Sequence, residues 1–237
     1  MSIKKNRFTT TIKKEGDDSL DGSGFSFVIL SAGRGRSSRN YENKSLIQHK
    51  GATLVRHQIN TIRSKYGDKS DIILVTGYDS ENVIKRVSGV RIVENPHFDT
   101  TDVVESMRIG INACCSSSIF FIHGDMIFSP SFISIPDVNH IWLPIDVHKR
   151  LSKTSLGITS YDDVGTYMSY GLPNKWCQIS YFPSSKFKWL KTELSKTNKT
   201  EPCFGFFNKI MDETKVKTFE PDLRGFIKEI NSSKDLK

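Results

Sequence analysis

The residues best suited to chemistry follow the first apolar run of the chain. Phe25 to Leu30 leads into Ser31-Ala32-Gly33-Arg34-Gly35-Arg36-Ser37-Ser38-Arg39, a glycine-rich turn that carries three guanidinium groups. Small residues let backbone N–H groups approach anionic oxygens closely, and arginines add charge-assisted bonds. The turn is therefore a candidate phosphate cradle, with an ordinary surface loop as the alternative. Neither of two familiar fingerprints fits it. Position 38 is Ser where the GxGxxG dinucleotide pattern needs glycine, and Lys44 follows Asn43 instead of the glycine of a Walker loop. A carboxylate, Asp125, stands just beyond the apolar run Ile119–Ile122. At the carboxyl end of a buried parallel strand it would face the ligand-binding edge of an open α/β sheet, and capping a turn is its alternative role.

The elements that must position these groups alternate in type. Short apolar runs at Phe25–Leu30, Ile72–Val75, Val90–Val93 and Ile119–Ile122 predict buried strands. Between them, Ala52–Lys65 has Leu54, Val55, Ile59 and Ile62 at helical spacing. Ser80-Glu81 opens a short helix, and Val103–Cys115 predicts another. Continuous apolar strands alternating with amphipathic helices imply a mostly parallel sheet covered by helices on both faces. Beyond residue 130 the pattern loosens. Strands are expected at His140–Ile145 and Gln178–Phe182, a helix at Lys186–Leu194 and a last element at Phe226–Ile230. Residues 1–24 read as a polar tail with a possible short strand at Phe8–Ile12, leaving 25–237 as one α/β domain.

Several segments, in chain order, resemble the GT-A-type nucleotidyltransferases. Phe27-Val28-Ile29-Leu30-Ser31-Ala32-Gly33-Arg34-Gly35, then Asn43-Lys44-Ser45-Leu46 and Gly51-Ala52-Thr53-Leu54, resemble the opening of that family. Val75-Thr76-Gly77-Tyr78 is similar to its V-x-G-Y segment, and Asn95-Pro96 through Ser106-Met107 to its middle motif. Phe121-Ile122-His123-Gly124-Asp125 resembles the strand ending in G-D, and Glu229-Ile230-Asn231 with Asp235-Leu236 the terminal motif. The phosphocholine and aminoalkylphosphonate cytidylyltransferases are the branch most resembled, through the Asn95 to Met107 segment and Lys175-Trp176.

The resemblance implies a single Rossmann-like (GT-A) domain and transfer of a nucleotidyl group from a nucleoside triphosphate, CTP favoured, to a phosphorylated small molecule. It implies that Ser31, Ala32, Gly33, Arg34 and Gly35 with Gly77, Tyr78, Ser106 and Gly124 hold the nucleotide. Lys44 would neutralise a phosphate, Asp125 and Asn231 would hold Mg2+, and Lys175, with Lys153 behind it, and Trp176 would meet the acceptor; a core position is the alternative for Trp176, and a helix position without contact for Ser106. Two departures stand out. Ser37 occupies the place of the family arginine, which Arg36 or Arg39 would have to supply. Asn231, a neutral oxygen donor, stands where a second metal-binding Asp is usual. These substitutions leave room for a non-catalytic nucleotide-binding relative. A GT-A glycosyltransferase is a further alternative, although His123-Gly124-Asp125 replaces the D-x-D such enzymes show.

Composition narrows the field. With 237 residues, 37% hydrophobic and 25% charged, the chain reads as a folded protein, not a disordered one. No apolar run reaches the ~20 residues of a membrane span, and Met1–Lys14 lacks the apolar core of a signal peptide. Four cysteines without a CxxC spacing indicate neither a zinc site nor a disulfide framework, so a cytoplasmic location is expected. The net charge of +8 admits nucleic acid, phosphorylated substrates or solubility as explanations. The basic residues are spread along the body and no nucleic-acid module is present, so small phosphorylated partners are expected and neither nucleic acid nor membrane. Oligomeric state is not encoded in any of these features.

Overall fold

The computed structural model describes residues 24–34, 43–148, 154–222, 224–231 and 233–236. Gly35, Arg36, Arg39, Lys153 and the expected strand at Phe8–Ile12 lie outside them.

In chain order the first half runs β1 (Ser26–Ser31), β2 (Gln48–His49), β3 (Ala52–Thr53), α1 (Leu54–Tyr66), β4 (Asp71–Thr76), α2 (Ser80–Lys85), β5 (Arg91–Glu94), α3 (Val103–Ile111), β6 (Ile119–His123) and β7 (Met126–Phe128). The second half adds β8 (Ile141–Asp146), β9 (Leu156–Tyr161), β10 (Val164–Tyr170), β11 (Lys175–Trp176) and β12 (Ile179–Phe182). It continues with α4 (Phe187–Lys196), α5 (Cys203–Glu213), β13 (Val216–Phe219) and β14 (Ile227–Glu229). Helix α1 starts two residues later than the spacing predicts. Ala52 and Thr53 pair in a hairpin, and the Thr53 hydroxyl accepts the Arg56 N–H as an N-cap. Helix α3 stops at Ile111, four residues short of the expected end.

Ten strands form one sheet in the order β11-β9-β10-β13-β8-β12-β6-β1-β4-β5. The pairings show β5, β4, β1, β6, β8, β13 and β9 sharing one direction, while β12, β10 and β11 oppose it. The sheet is thus mixed, with a parallel half built by the strand–helix alternation. Because successive side chains in a strand point to opposite faces, β1 feeds two cores. Val28 and Leu30 pack with Val104 and Met107 of α3, Leu190 of α4 and Phe206 and Ile210 of α5. Phe27 and Ile29 pack with Val55, Ile59 and Ile62 of α1 and Val83 of α2. Helices therefore cover both faces, and the run of apolar residues in β1 needs no polar alternation.

The amino edge of the sheet carries a structural clip. Asp71 is buried, accepts the Ser26 hydroxyl at 2.5 Å and the Cys115 N–H at 2.9 Å, and pairs with Arg91. This joins β1, β4, β5 and the connection into β6. The chemistry-bearing residues lie at the opposite edge. A second, small ribbon sits there, in which β14 runs antiparallel to β7 with Glu229 opposite Met126 and Lys228 opposite Ile127. Among the described residues no helix is long and apolar enough to cross a membrane.

Candidate active site

The carboxyl ends of β1, β4 and β6 bring the predicted loops together. Ser31 ends β1 and is buried, and its hydroxyl has no hydrogen-bond partner among the described residues. The Ala32 carbonyl accepts the Tyr78 N–H at 2.9 Å, so the β1 and β4 loops touch directly. At Gly77 a Cβ would meet that same carbonyl at 2.8 Å, so only glycine fits this approach. Asn43 completes the junction. Its amide nitrogen donates to the Ser31 carbonyl at 3.1 Å and to the Tyr78 carbonyl at 2.8 Å. Its amide oxygen accepts the Ser45 N–H at 3.0 Å and hydroxyl at 2.8 Å, capping the short turn Lys44–Leu46. The Arg34 guanidinium lies 5.2 Å from the Tyr78 ring centre, within cation–π range. Gly33 and Arg34 are exposed beside it.

The β6 end supplies the charged centre. Gly124 donates its N–H to the Leu30 carbonyl at 2.9 Å. A Cβ there would stand 2.9 Å from that oxygen and 3.0 Å from Ser31 Cβ, so the turn holding Asp125 lies against the β1 loop. The Lys44 ammonium is 3.1 Å from Asp125 Oδ2 and 2.5 Å from Asn231 Oδ1. Asn231 is delivered by the ribbon: Ile230 donates to the Asp125 carbonyl at 2.8 Å, and the Asn231 N–H donates to Asp235 at 2.9 Å. The Asn231 amide nitrogen donates to Glu229 Oε1 at 3.2 Å, which turns the amide oxygen towards Lys44. Glu229 also pairs with Lys175 at 3.3 Å. Burial alone would raise the Glu229 carboxyl, but Lys175 and the Asn231 amide hold it below the usual carboxylate range.

Lys44, Asp125 and Asn231 thus meet at one point. Two hard oxygen donors from different segments aim at a single cation position, which Lys44 fills with its ammonium. One carboxylate and one amide oxygen suit a small oxygen-loving cation whose remaining positions are taken by water and phosphate oxygens. Among the described residues no group of three or more His, Cys, Asp and Glu is arranged for a metal. A closed all-protein site is therefore not what these residues build, and an open Mg2+ site fits them.

Three predicted contacts take other places. Trp176 is 1% exposed, donates its indole N–H to the Ile179 carbonyl and meets the His123 and Phe207 rings edge-on. It is a core residue with no open face for a ligand, which corrects the expectation that it packs on the acceptor. Ser106 is buried, and its hydroxyl accepts from Asn95, so it ties α3 to the loop after β5. Lys175 reaches the site, but its ammonium is engaged by Glu229. His123 ends β6 and packs against the Trp176 ring. Burial pushes its imidazole below the ordinary range, outweighing the opposite pull of Asp125, Glu229 and Asp102.

Sequence reading passed over Asn43 and Glu229 as site residues. A signal for Glu229 was present: in an extended segment, positions 229 and 231 share a face. Asn43 carried one too, since Asn before a short turn habitually bonds the backbone two residues on.

Residues 27–134 match the model of the MobA-like NTP transferase domain. No curated protein sequence matches the chain significantly. Among solved structures, the CTP:phosphocholine cytidylyltransferase of Streptococcus pneumoniae is 17% identical, with a TM-score of 0.68 over 89% of this chain and 95% of that one. The inositol-1-phosphate CTP transferase of T. maritima is 20% identical, with a TM-score of 0.71 over 91% and 92%. A putative glucose-1-phosphate thymidylyltransferase of Bacillus anthracis is 14% identical, with a TM-score of 0.71 over 90% and 92%. The matched segment takes in the glycine-rich turn, Lys44 and Asp125, and the solved structures share the fold.

Proposed function

We propose that this chain, which carries a MobA-like NTP transferase domain over residues 27–134, joins the nucleoside monophosphate part of an NTP to a phosphorylated small molecule. An oxygen of the acceptor phosphate or phosphonate attacks the α-phosphorus, the bond from that phosphorus to the bridging oxygen of the β-phosphate breaks, and pyrophosphate leaves. The attacking oxygen is already ionised at neutral pH, so no general base is required, in keeping with a neutral, packed His123. The work left to the protein is positioning and charge neutralisation.

The observation that carries this reading is the convergence of Lys44, Asp125 and Asn231 beside the β1 loop. Lys44 would exchange its two oxygen partners for nucleotide phosphates. Mg2+, held by Asp125 and Asn231, would supply further neutralisation of the triphosphate. The Ser31 hydroxyl, without a partner among the described residues, and the exposed Gly33 and Arg34 offer hydrogen bonds to the nucleotide, and Arg36 or Arg39 a guanidinium. Gly77, Tyr78 and Gly124 shape the wall of that site. CTP is the preferred triphosphate in this reading, because two of the solved relatives are named as CTP-using enzymes. The acceptor is a phosphocholine-like compound, a phosphonate or a sugar phosphate. A thermal-shift screen of the four NTPs with Mg2+ tests nucleotide binding. CTP should raise the melting temperature most, and the rise should vanish in Asp125→Ala. Absence of any shift with all four contradicts the reading.

A second reading rests on one observation. Asn231 is neutral and already engaged by Lys44 and Glu229, so the site holds fewer negative charges than two carboxylates would. A nucleotide-binding relative without turnover would show the thermal shift but release no pyrophosphate with any acceptor.

A further inference from the structure

The ribbon that presents Asp125 and Asn231 has a second face. There a cavity of about 190 Å³ is lined by His49, Lys50, Ile127, Phe226, Lys228 and Leu236. Its floor is apolar: Ile127 and Leu236 belong to a small core with Ile47, Leu54 and Ile230. Its rim is basic, and no carboxylate lines it among the described residues. Neither Lys50 nor Lys228 makes an ion pair among the described residues, whereas Lys44, Lys175, Lys196 and Lys209 each have a carboxylate partner. Lys50 also holds an unusual backbone. With φ 44° it is the first of two left-handed residues in the β2–β3 hairpin turn, followed by Gly51 at φ 82°. Asn, Asp or Gly would take that first position with less strain, and a lysine held there is an outlier that points to use of its side chain.

We propose that this cavity is a second anion site, which takes a small organic phosphate with an apolar body. The phosphate would lie between the Lys50 and Lys228 ammonium groups. The body would rest on Ile127 and Leu236 under the half-exposed Phe226 ring. His49 adds a ring N–H for hydrogen bonding without adding charge. Burial first, and then His57, Lys50 and Lys228, hold its imidazole below the ordinary range. The site gives part of the chain's positive surplus a second local task. It also touches segments leading to each of the three convergent residues: the β2–β3 hairpin after Lys44, β7 after Asp125 and β14 before Asn231. Binding there stands independently of the proposed reaction.

Titration calorimetry with phenyl phosphate tests it, on the parent chain, Lys50→Gln/Lys228→Gln and Lys44→Ala, with circular dichroism to confirm that each is folded. The parent chain should show a saturable event that is at least about tenfold weaker in the double variant, since charge-assisted bonds are lost, and unchanged in Lys44→Ala. Inorganic phosphate alone should bind more weakly than phenyl phosphate. An event unchanged in Lys50→Gln/Lys228→Gln, one lost in Lys44→Ala, or no saturable heat in the parent chain overturns the proposal.

Discussion

Asn43→Ala should be among the most damaging single changes outside the hydrophobic core. The Asn43 side chain is 2% exposed and makes four hydrogen bonds, two as donor to the Ser31 and Tyr78 carbonyls and two as acceptor from Ser45. At about 1 kcal/mol net per bond, with two carbonyls left without their donor, the loss comes to about 3–4 kcal/mol. For a chain of this size that corresponds to about 10 °C in melting temperature. Asn43→Asp separates the two halves of the role. It keeps an oxygen for Ser45 but has no donor, and it sets a carboxylate against two carbonyl oxygens, so it should be destabilised as well. Both variants should also weaken nucleotide binding, because the Ser31 and Tyr78 loops are held together by this amide and Lys44 follows it directly. Melting curves with and without CTP and Mg2+ measure both effects. If Asn43→Ala and Asn43→Asp melt within 2 °C of the parent, which is about 1 kcal/mol or less, the clamp does not exist as described.

Other consequences follow from separate parts of the structure. Gly124→Ala places a methyl 2.9 Å from the Leu30 carbonyl oxygen. The obstacle is backbone, so the Asp125 turn must shift, at a cost of about 1–3 kcal/mol and about tenfold or more in turnover, read by melting and by pyrophosphate release. Tyr66 donates its hydroxyl to the Ile133 carbonyl, and burial raises its phenol to about 12. The unfolded chain therefore loses this proton first, near pH 10. Because the phenol is partly exposed and solvent screens the effect, stability should fall by about 1–2 kcal/mol between pH 10 and 12, and Tyr66→Phe should lack that component in denaturant titrations across this range. Of the four thiols, Cys115 is exposed, while burial raises Cys114 to about 12, raises Cys203 further, and Cys177 is buried. A disulfide reagent at pH 8 should titrate one thiol rapidly and the others only on unfolding.

Legibility in the sequence followed the physics of each segment. Strands β1, β4 and β6 are buried on both faces, so their uninterrupted apolar runs were readable, and the loops at their carboxyl ends could be placed with them. The second half was legible only in part: β8, β12, α4 and β14 fall on expected segments, whereas β9, β10, β11, α5 and β13 do not. In β10 the burial alternation is broken by a bulge between Gly165 and Tyr167, so no clean period of two survives. Helix α5 has glycine at its third position and clustered phenylalanines, weak helix formers that obscured the apolar face of Phe206, Phe207 and Ile210. Residues carried by one motif, such as Asp125 and Asn231, could be named from the sequence, and the fold brings them together at Lys44. Those defined by a partner far along the chain could not be named. Glu229 matters because Lys175, 54 residues away, faces it, and no local pattern reports that. The choice between acceptor contact and core for Trp176 was settled in the same way, by Phe207 and His123, which arrive from other elements.

In the proposed reaction Lys44, Asp125 and Asn231 together serve nucleotidyl transfer. Continuous detection of pyrophosphate, with CTP, Mg2+ and a panel of phosphocholine, phosphonates and sugar phosphates, tests it most directly. Release should require both CTP and one acceptor class, and should fall by at least about a hundredfold in Lys44→Ala, which removes a cation facing the phosphates, and in Asp125→Ala, which removes the carboxylate that would hold Mg2+. Release that survives in both variants, or none from the parent chain with any NTP and acceptor, would contradict the account.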